Sequence, residues 1–465
     1  MTLTPPGKVR TASGATLQLV RELGRGGQGA VYEVDGGRHA VKVLRDTTPE
    51  RAAEWADRLR TLRRLPLDGL SVARPIDVLA PPHVGYVMDL LDGLTPLTRL
   101  VTVPPGARAV DHYRDTGGLR RRLVLLTRLA DVLAALHARG LAYQDPAPNN
   151  IFVSELLDRD QVWLIDTDNL SYVSSRVRPV YTLRYSAPEL RPGAARWADS
   201  LSDVFAFAVV AFELLTLDHP FVGDEIYEDD EEAEAEALNG THPFVDHPTD
   251  PANRSTRGIK PRGLVLTPAL ASLFRATFVA GLRNRDARPG AGRWADALRE
   301  AASAVVPCPA CSMTYPLDLA VPRCPWCDEA PRPATLHVRV LLDLDAAPDG
   351  DPDDSRPAFA DRGALVAVRG DELHVSRGFV LGRVPDADRL MFQLRWEGEH
   401  LKVGNYAGHA VEFVSPDGRR FHPLPHDRVA SIRLGHTDET WSLRIARPGR
   451  RNRWLCFTTD PGGQR

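Results

Sequence analysis

The start of the chain alternates apolar and polar residues in short runs separated by glycine-rich turns. Residues 15–44, ATLQLVRELGRGGQGAVYEVDGGRHAVKVL, contain three such runs, which predict three strands joined by tight turns. Residues 48–65 then place Pro49 after a capping threonine, as at the first position of a helix. Apolar residues follow at helical spacing, namely Ala52, Trp55, Leu59 and Leu62. A small sheet followed by one helix is therefore expected.

The middle of the chain has the apolar spacing of helices. In residues 119–140 leucines recur every three or four positions, and the pattern stops at Gly140. The helical region continues to about residue 304 with one interruption. Residues 223–238, GDEIYEDDEEAEAEAL, are strongly acidic and predict a solvated or disordered insertion.

The last third of the chain has the period of β-strands. Residues 364–447 alternate apolar and polar positions between turn sequences such as RGDE and SPDG, which predicts an all-β region. A cysteine-rich segment precedes it, and residues 347–357, APDGDPDDSRP, have the composition of a linker. A chain of 465 residues is too long for one compact core, so several domains are expected.

Composition and charge exclude several classes of function. The net charge of -3 gives no sign of nucleic-acid binding or of attraction to an anionic membrane. The longest apolar run, residues 204–212, is far shorter than the roughly 20 residues that a membrane-spanning helix needs. The first ten residues lack the apolar core of a signal peptide. These observations predict a cytoplasmic protein without nucleic-acid or membrane partners.

A glycine-rich turn is the first candidate for phosphate chemistry. GRGGQGAV fits the pattern G-x-G-x-x-G-x-V with Gly24, Gly26, Gly29 and Val31, and glycine lets the backbone lie against phosphate oxygens. Alone the pattern is weak, since a glycine-rich hairpin turn has the same letters. Lys42 lies on the next predicted strand, in a chain that otherwise uses arginine for nearly all its positive charge. A lysine kept there indicates a site that needs a compact point charge, such as one for ATP phosphates.

Later motifs follow in the order and spacing of one family. QDPAPNN places Asp145 and Asn150 five positions apart, as in the H-R-D-x-x-x-x-N loop. WLIDTDNL places Asp166 where D-F-G stands, and an A-P-E motif ends at Glu189. Through these motifs, residues from about 14 to 302 resemble the eukaryotic-like protein kinases of bacteria.

The resemblance implies an α+β, bilobal protein-kinase fold. Residues 1–92 would form the N-lobe with the glycine-rich loop, and residues 93–304 the C-lobe. It also implies that Asp203 ties down the catalytic loop and that Arg288 pairs with Glu189.

The resemblance also implies how ATP and a metal ion are held. The glycine-rich loop and Lys42 would hold the phosphates, with Asp89 to Leu91 along the adenine edge. Asn150 and Asp166 offer the hard oxygen ligands that Mg²⁺ or Mn²⁺ prefers.

Two further roles are implied for acidic residues of this site. Asp145 would accept the proton of the attacking hydroxyl. Glu54, on the helix after the third strand, is the expected partner of Lys42, with Glu50 and Asp57 as open alternatives.

Several positions depart from the family pattern. Tyr143 and Gln144 replace the histidine and arginine before the catalytic aspartate, Ala147 replaces the cation that touches the γ-phosphate, and Asp168 replaces the glycine of D-F-G. The expected function is an ATP-dependent Ser/Thr protein kinase of non-RD type, with Thr182 favouring Ser/Thr over Tyr substrates. The alternative is a pseudokinase or ATP-sensing scaffold.

Four of the five cysteines form two C-x₂-C pairs separated by twelve residues: Cys308, Cys311, Cys324 and Cys327. This spacing predicts a closed tetrahedral Zn²⁺ site in a zinc ribbon at residues 305–332, with disulfides as the alternative. Cys456 stands apart and is expected to be a small core residue.

The region after the cysteines, residues 336–447, is expected to be an all-β, sandwich-like domain, with a tail at 448–465. FVLGRVPDADRL faintly resembles a forkhead-associated domain, but the serine and histidine that bind phosphothreonine are not in place, so protein contact is favoured. A kinase with a zinc ribbon also resembles those of tellurium-resistance-like stress systems. That resemblance implies a cognate phosphatase and a von Willebrand-type protein as partners besides the protein substrate.

Overall fold

The structure is a computed structural model of the 465-residue chain. It describes all residues except 1–6, 27–28, 46–47, 176–179, 192–196, 227–230, 318–320, 345–358, 383, 385, 387–388, 435–439, 448 and 461–465. The chain divides into two compact units, one made mostly of residues up to Leu298 and the other mostly of Arg299–Arg465. The predicted linker at 347–357 lies outside the described residues.

The first unit begins with a six-stranded antiparallel sheet and one helix. Their bounds are β1 Lys8–Arg10, β2 Thr16–Arg25, β3 Gly29–Val34, β4 His39–Leu44, α1 Pro49–Leu62, β5 Asp77–Val78 and β6 Gly85–Asp89. The three predicted strands are β2, β3 and β4, and the predicted helix is α1. The strand order β1-β2-β3-β4-β6-β5 makes β4 central, with Lys42 opposite Val31 of β3.

The rest of the first unit is mainly helical. Its elements are β7 Leu94–Pro96, α2 Thr98–Val101, α3 Ala109–Asp115, α4 Gly118–Ala138, β8 Leu141–Ala142, β9 Ile151–Ser154, β10 Val162–Leu164, β11 Ser171–Tyr172, α5 Ser200–Thr216, α6 Glu231–Leu238, α7 Pro268–Arg275, α8 Gly281–Arg283 and α9 Ala291–Ser303. Helix α5 is buried on all sides from Ser202 to Thr216, as expected of a helix that is apolar all round. A capping box at Asp199 fixes its start, because the Asp199 carboxylate accepts hydrogen bonds from Leu201 N and Ser202 N.

The prediction of a solvated or disordered insertion at 223–238 is wrong for the described part of that run. Glu231–Leu238 forms helix α6, and its last two residues, Ala237 and Leu238, are buried. Ala237 packs with Val222 and Ile226 in a small apolar cluster. The few apolar residues among the acids therefore anchor the segment.

The second unit contains a small hairpin and a two-sheet domain. The strands and helix are β12 Val305–Pro307, β13 Thr314–Pro316, β14 Thr335–Asp343, β15 Phe359–Val368, β16 Glu372–Ser376, α10 Arg377–Leu381, β17 Leu390–Glu397, β18 His400–Asn405, β19 Ala410–Val414, β20 Phe421–Pro423, β21 Arg428–Arg433, β22 Trp441–Ala446 and β23 Arg453–Asp460. The larger sheet has the order β15-β14-β23-β22-β19-β20 and the smaller one β16-β17-β18-β21. Residues of both sheets, such as Leu336 and Phe392, share one apolar core, so the all-β region is a sandwich.

The expected tail at 448–465 needs a correction. Within it, strand β23 pairs with β14 on one side and β22 on the other, so it lies inside the larger sheet. Leu455 and Phe457 are fully buried in the core of the sandwich. The β domain therefore extends to Asp460, since the alternation of WLCFTT continues the strand pattern beyond residue 447.

Candidate active site

Lys42 is a buried cation between two carboxylates. Its ammonium contacts Asp166 and lies 2.9 Å from Asp168 Oδ2, and the residue is 6% exposed. Burial disfavours the charged form, but the charges of Asp168 and Asp166 outweigh burial and raise the pKa of Lys42 above its ordinary value. The lysine is therefore charged when it meets a phosphate.

The catalytic loop is held by a buried aspartate of helix α5. Asp203 accepts hydrogen bonds from the backbone N–H groups of Tyr143, at 2.7 Å, and of Gln144, at 2.8 Å. The Asp203 side chain has no exposed surface, so these charge-assisted bonds form away from water. Gln144 has a φ of 80°, a left-handed conformation that the two bonds help to maintain.

Asp145 and Asn150 lie together, as the spacing predicts. Asn150 Nδ2 donates to Asp145 Oδ2 at 3.0 Å, which turns the amide oxygen of Asn150 away from that carboxylate. Thr182 donates twice to Asp145, through its backbone N at 2.8 Å and its hydroxyl at 3.0 Å. Burial raises the pKa of Asp145, although the bonds from Thr182 and Asn150 oppose that rise.

Asp166 lies next to this pair through the backbone. Ile165 N donates to Asn150 O at 2.9 Å, so the catalytic loop and the Asp166 segment are joined. Asp166 has φ 58° and ψ 48°, a left-handed conformation that points its side chain toward Lys42. Burial acts to raise the pKa of Asp166, but the Lys42 charge outweighs burial and lowers it. Asp166 and the Asn150 amide oxygen fit Mg²⁺, because the ion prefers carboxylate and carbonyl oxygens.

Asp168 was not among the predicted site residues, yet it is the second carboxylate on Lys42. It has no exposed surface, and burial raises its pKa to about 6. Thr167, between the two aspartates, is buried and its hydroxyl donates to Ala73 O at 2.9 Å. The sequence signal was present, because a carboxylate replaces the small residue of D-F-G at Asp168.

Glu54 is not placed where the sequence prediction put it. It lies exposed on helix α1, as do the two alternatives, Glu50 and Asp57. The α1 residue that approaches the Asp166 segment is Arg58, whose Nε donates to Asp168 O at 2.5 Å. The carboxylates in contact with Lys42 are therefore Asp166 and Asp168 rather than the expected Glu54.

The glycine-rich turn and the hinge lie on strands that flank Lys42. Gly24 and Gly26 have open space where a side chain would project. A Cβ at Gly29 would lie 2.2 Å from Val43 O, so only glycine fits against β4. Asp89, the last residue of β6, is exposed and Leu91 is half-buried, on the edge where an adenine ring is expected.

The ion pair expected between Glu189 and Arg288 is present. Arg288 donates to both carboxylate oxygens of Glu189, at 2.6 and 2.9 Å. The Arg288 side chain is 1% exposed and the Glu189 side chain 13%, so this bidentate pair lies inside the C-lobe. It fixes the end of the activation segment to the helical core.

The four predicted cysteines converge in the second unit. All four sulfurs lie within 4.8 Å of one another and are free thiols. The distances Cys308 Sγ–Cys327 Sγ and Cys311 Sγ–Cys324 Sγ are both 3.8 Å. A tetrahedral zinc site with bonds of about 2.3 Å has sulfurs about 3.8 Å apart, so the cluster fits Zn²⁺ and does not have disulfide geometry.

The two C-x₂-C turns have the same backbone form. The residue after the second cysteine is left-handed in both, Ser312 with φ 60° and Asp328 with φ 56°. Ser312 N donates to Cys308 O, and Asp328 N donates to Cys324 O. Backbone N–H groups of Glu329 and Ala330 lower the pKa of Cys327 to about 7, which favours a thiolate there.

Comparison with known proteins agrees with the geometry of the first unit. The family model of the protein kinase domain matches residues 17–257. Over 222 residues the chain is 32% identical to serine/threonine-protein kinase Pkn1 of Myxococcus xanthus, covering 44% of this chain and 29% of the relative. It is 31% identical over 223 residues to pkn2 of the same organism, covering 44% and 25%. With PknE of Mycobacterium tuberculosis, identity is 30% over 224 residues, covering 45% and 36%.

The chain thus matches about a quarter to a third of the length of these curated relatives. In the part of the chain that the structure describes, no helix has the length and apolar character needed to cross a membrane. The matched region contains Lys42, Asp145, Asn150 and Asp166, and it covers more than half of the chain. The chain belongs to the protein kinase domain family.

Proposed function

We propose that this chain is a Ser/Thr protein kinase that transfers the γ-phosphoryl group of ATP to protein hydroxyls in the presence of Mg²⁺ or Mn²⁺. The observation that carries the proposal is the network of Lys42, Asp166, Asn150 and Asp145, which links β4, the Asp166 segment and the catalytic loop. Phosphoryl transfer needs positioning and charge neutralisation, with little covalent work from the protein. These four side chains can supply both.

Each side chain has a role that its surroundings support. The buried Lys42 ammonium neutralises the α- and β-phosphates. Asp166 and Asn150 would hold the metal ion, which bridges phosphate oxygens and neutralises developing charge. Asp145 orients the attacking hydroxyl and accepts its proton, and its bond to the Thr182 hydroxyl is a contact of the same kind. Thr182 supports Ser/Thr rather than Tyr substrates, since it stands where the Ser/Thr-type members have threonine.

The transfer is expected to be slow. Ala147 stands where the family has a cation for the γ-phosphate, and it is 2% exposed. Losing one electrostatic donor of this kind costs on the order of 10² to 10³ in rate. The same observation favours the second candidate, a pseudokinase or ATP-sensing scaffold that recruits partners through the cysteine segment and the β-sandwich.

The second unit is assigned supporting roles. The sulfur geometry supports a Zn²⁺-bound ribbon at residues 305–332, and the β-sandwich is proposed to contact proteins. A degenerate forkhead-associated origin, a cognate phosphatase, a von Willebrand-type partner and a stress-response role rest on resemblance alone.

Transfer of labelled phosphate from ATP, to the protein itself and to a generic Ser/Thr substrate, tests the proposal. The wild type should transfer phosphate, and Asp145→Ala should lose most of the transfer while still binding nucleotide. If the wild type binds ATP but transfers nothing across Mg²⁺ and Mn²⁺, and Asp145→Ala behaves identically, the scaffold function replaces the enzyme.

A further inference from the structure

The second acidic partner of Lys42 is built into the segment that carries Asp166. Asp168 Oδ2 lies 2.9 Å from Lys42 Nζ, and both side chains are buried, at 0% and 8% exposure. A buried ion pair of this kind is retained only where its geometry is good, because both charges have left water. Asp168 therefore holds the ammonium at a fixed place.

Helix α1 supplies no acid to this pair. Its acidic residues are Glu50, Glu54 and Asp57, and all three are exposed. Asp57 points to solvent with an 83% exposed side chain and lies 3.6 Å from Arg60 of its own helix. The buried face of α1 is apolar instead, with Leu59 and Leu62 inside.

The contact between α1 and the Asp168 segment is made by a base. Arg58 is half-buried, and its Nε donates to the backbone oxygen of Asp168 at 2.5 Å. The usual order of charges, an acid on the helix and a lysine on the strand, is thus replaced by an arginine on the helix and an acid on the Asp166 segment.

The backbone aims Asp168 toward Lys42. The Thr167 hydroxyl is bonded to Ala73 O, and Leu170 N donates to Thr167 O at 3.0 Å, which closes a tight turn around Asp168. The position of the carboxylate is therefore set by the fold on both sides.

We propose that Asp168 is the positioning residue for Lys42, in place of a glutamate on α1, and that Arg58 couples α1 to it. The inference rests on the proposed function, because it adds a residue to the same site. One carboxylate cannot both coordinate a metal ion and hold a lysine firmly. With Asp168 on Lys42, Asp166 is free to bind the metal while the ammonium stays in place for the phosphates.

The test compares Asp168→Asn with Glu54→Gln in steady-state kinetics of phosphate transfer. Asp168→Asn keeps the shape and removes the charge, so kcat/KM for ATP should fall by roughly 10- to 100-fold. The matched control is Asp158→Asn, an exposed aspartate of the β9–β10 turn, which should leave kcat/KM unchanged. An equal or larger loss with Glu54→Gln than with Asp168→Asn would overturn the inference.

A double-mutant cycle separates positioning from a structural role. Nucleotide affinity is measured by calorimetry for wild type, Lys42→Met, Asp168→Asn and the double variant. Acting through Lys42, Asp168→Asn should weaken binding in the wild type and change it less than about twofold in the Lys42→Met background. Equal effects in both backgrounds would overturn the inference, as would a wild type that binds no nucleotide. The cycle needs no turnover, so a wild type that binds ATP without transferring phosphate removes the proposed function only.

Arg58→Gln gives a second variant in case Asp168→Asn does not fold. It should lower kcat by roughly threefold to tenfold with little change in nucleotide affinity, since it loosens α1 and leaves the ion pair intact. An unchanged kcat would overturn the coupling of α1.

Discussion

Gln144 Nε2 donates a hydrogen bond to Ser171 Oγ at 2.8 Å, so two neutral side chains join the catalytic loop to the start of the activation segment. Gln144 Oε1 also accepts from Val180 N at 3.5 Å, farther along that segment. In kinases switched by phosphorylation, an arginine at this position pairs with a phosphorylated loop residue. Here the contact is made by an amide and an unmodified hydroxyl.

Activity should not depend on a phosphate in this segment. Replacing Ser171, Ser174 and Ser175 together by alanine should leave kcat within a few-fold, because one neutral hydrogen bond contributes only about 0.5 to 1.5 kcal/mol. Initial rates of the variant and of phosphatase-treated wild type provide the measurement and its control. A drop of 100-fold or more, at about 2.7 kcal/mol, would mean that a cation reads a phosphate there.

Asp145 and Asp166 should fail in different ways. Asp145→Ala should keep nucleotide affinity within a few-fold and lose most of kcat, since Asp145 acts on the reacting hydroxyl. Asp166→Ala should weaken metal-nucleotide binding as well as turnover, because it removes a ligand and one contact of Lys42. Calorimetry with Mg²⁺ and ATP, beside rate measurements, distinguishes the two.

The control for this pair is Asp158→Ala, an exposed position that should alter neither quantity. Loss of nucleotide affinity in Asp145→Ala as large as in Asp166→Ala would contradict the separate roles. Because Ala147 supplies no charge to the γ-phosphate, we also expect the rate to rise steeply with Mg²⁺ concentration.

One Zn²⁺ per chain is expected by elemental analysis. Cys311→Ser should lose most of the metal, whereas Cys456→Ala should retain it, because Cys456 is not part of the four-cysteine cluster. Chelation should unfold residues 305–332, whose small core includes Cys308 and Cys324, and leave nucleotide affinity largely intact. Zinc-free protein from zinc-replete medium would remove the ribbon.

Arg122 should be a major contributor to stability. It is fully buried, bonds to the backbone oxygens of Leu214, Tyr113 and Leu100, and stacks on the Tyr113 ring at 3.9 Å. Burial lowers the pKa of Arg122 to about 10, so it remains charged at neutral pH. Arg122→Ala leaves several buried acceptors unpaired and should cost about 3 to 5 kcal/mol of unfolding free energy.

Urea unfolding of Arg122→Ala and of Arg128→Ala provides the comparison. Arg128 is exposed on the same helix and pairs with Asp160 at the surface, so its removal should cost less than about 1 kcal/mol. Similar losses for both variants would show that the buried network contributes little.

The sequence predicted well the parts of the site whose motif is short and local. Asp145 and Asn150 meet because five residues of one loop fix their separation. The four cysteines converge because each C-x₂-C turn places two sulfurs side by side. Such spacing is a property of the local backbone, so it can be read without knowing the fold.

Glu54 shows where such prediction stops. Helical spacing identifies which residues share a face, but it does not say which face meets a lysine on a distant strand. The left-handed backbone at Asp166, which brings Asp168 under Lys42, has no signature in the letters IDTDN. Strand β23 was missed for another reason, because its polar positions alternate with only two fully buried apolar residues, Leu455 and Phe457.

The exposed acids of α1 have a consequence for control of the enzyme. In a kinase whose lysine depends on a glutamate of that helix, an outward swing of the helix breaks the pair and switches activity off. Here a swing of α1 would break the bond from Arg58 to Asp168 O and leave the ion pair of Lys42 standing. A binding protein that pushes on α1 would therefore act as a dimmer, and Glu50, Glu54 and Asp57 can vary at little cost to the lysine.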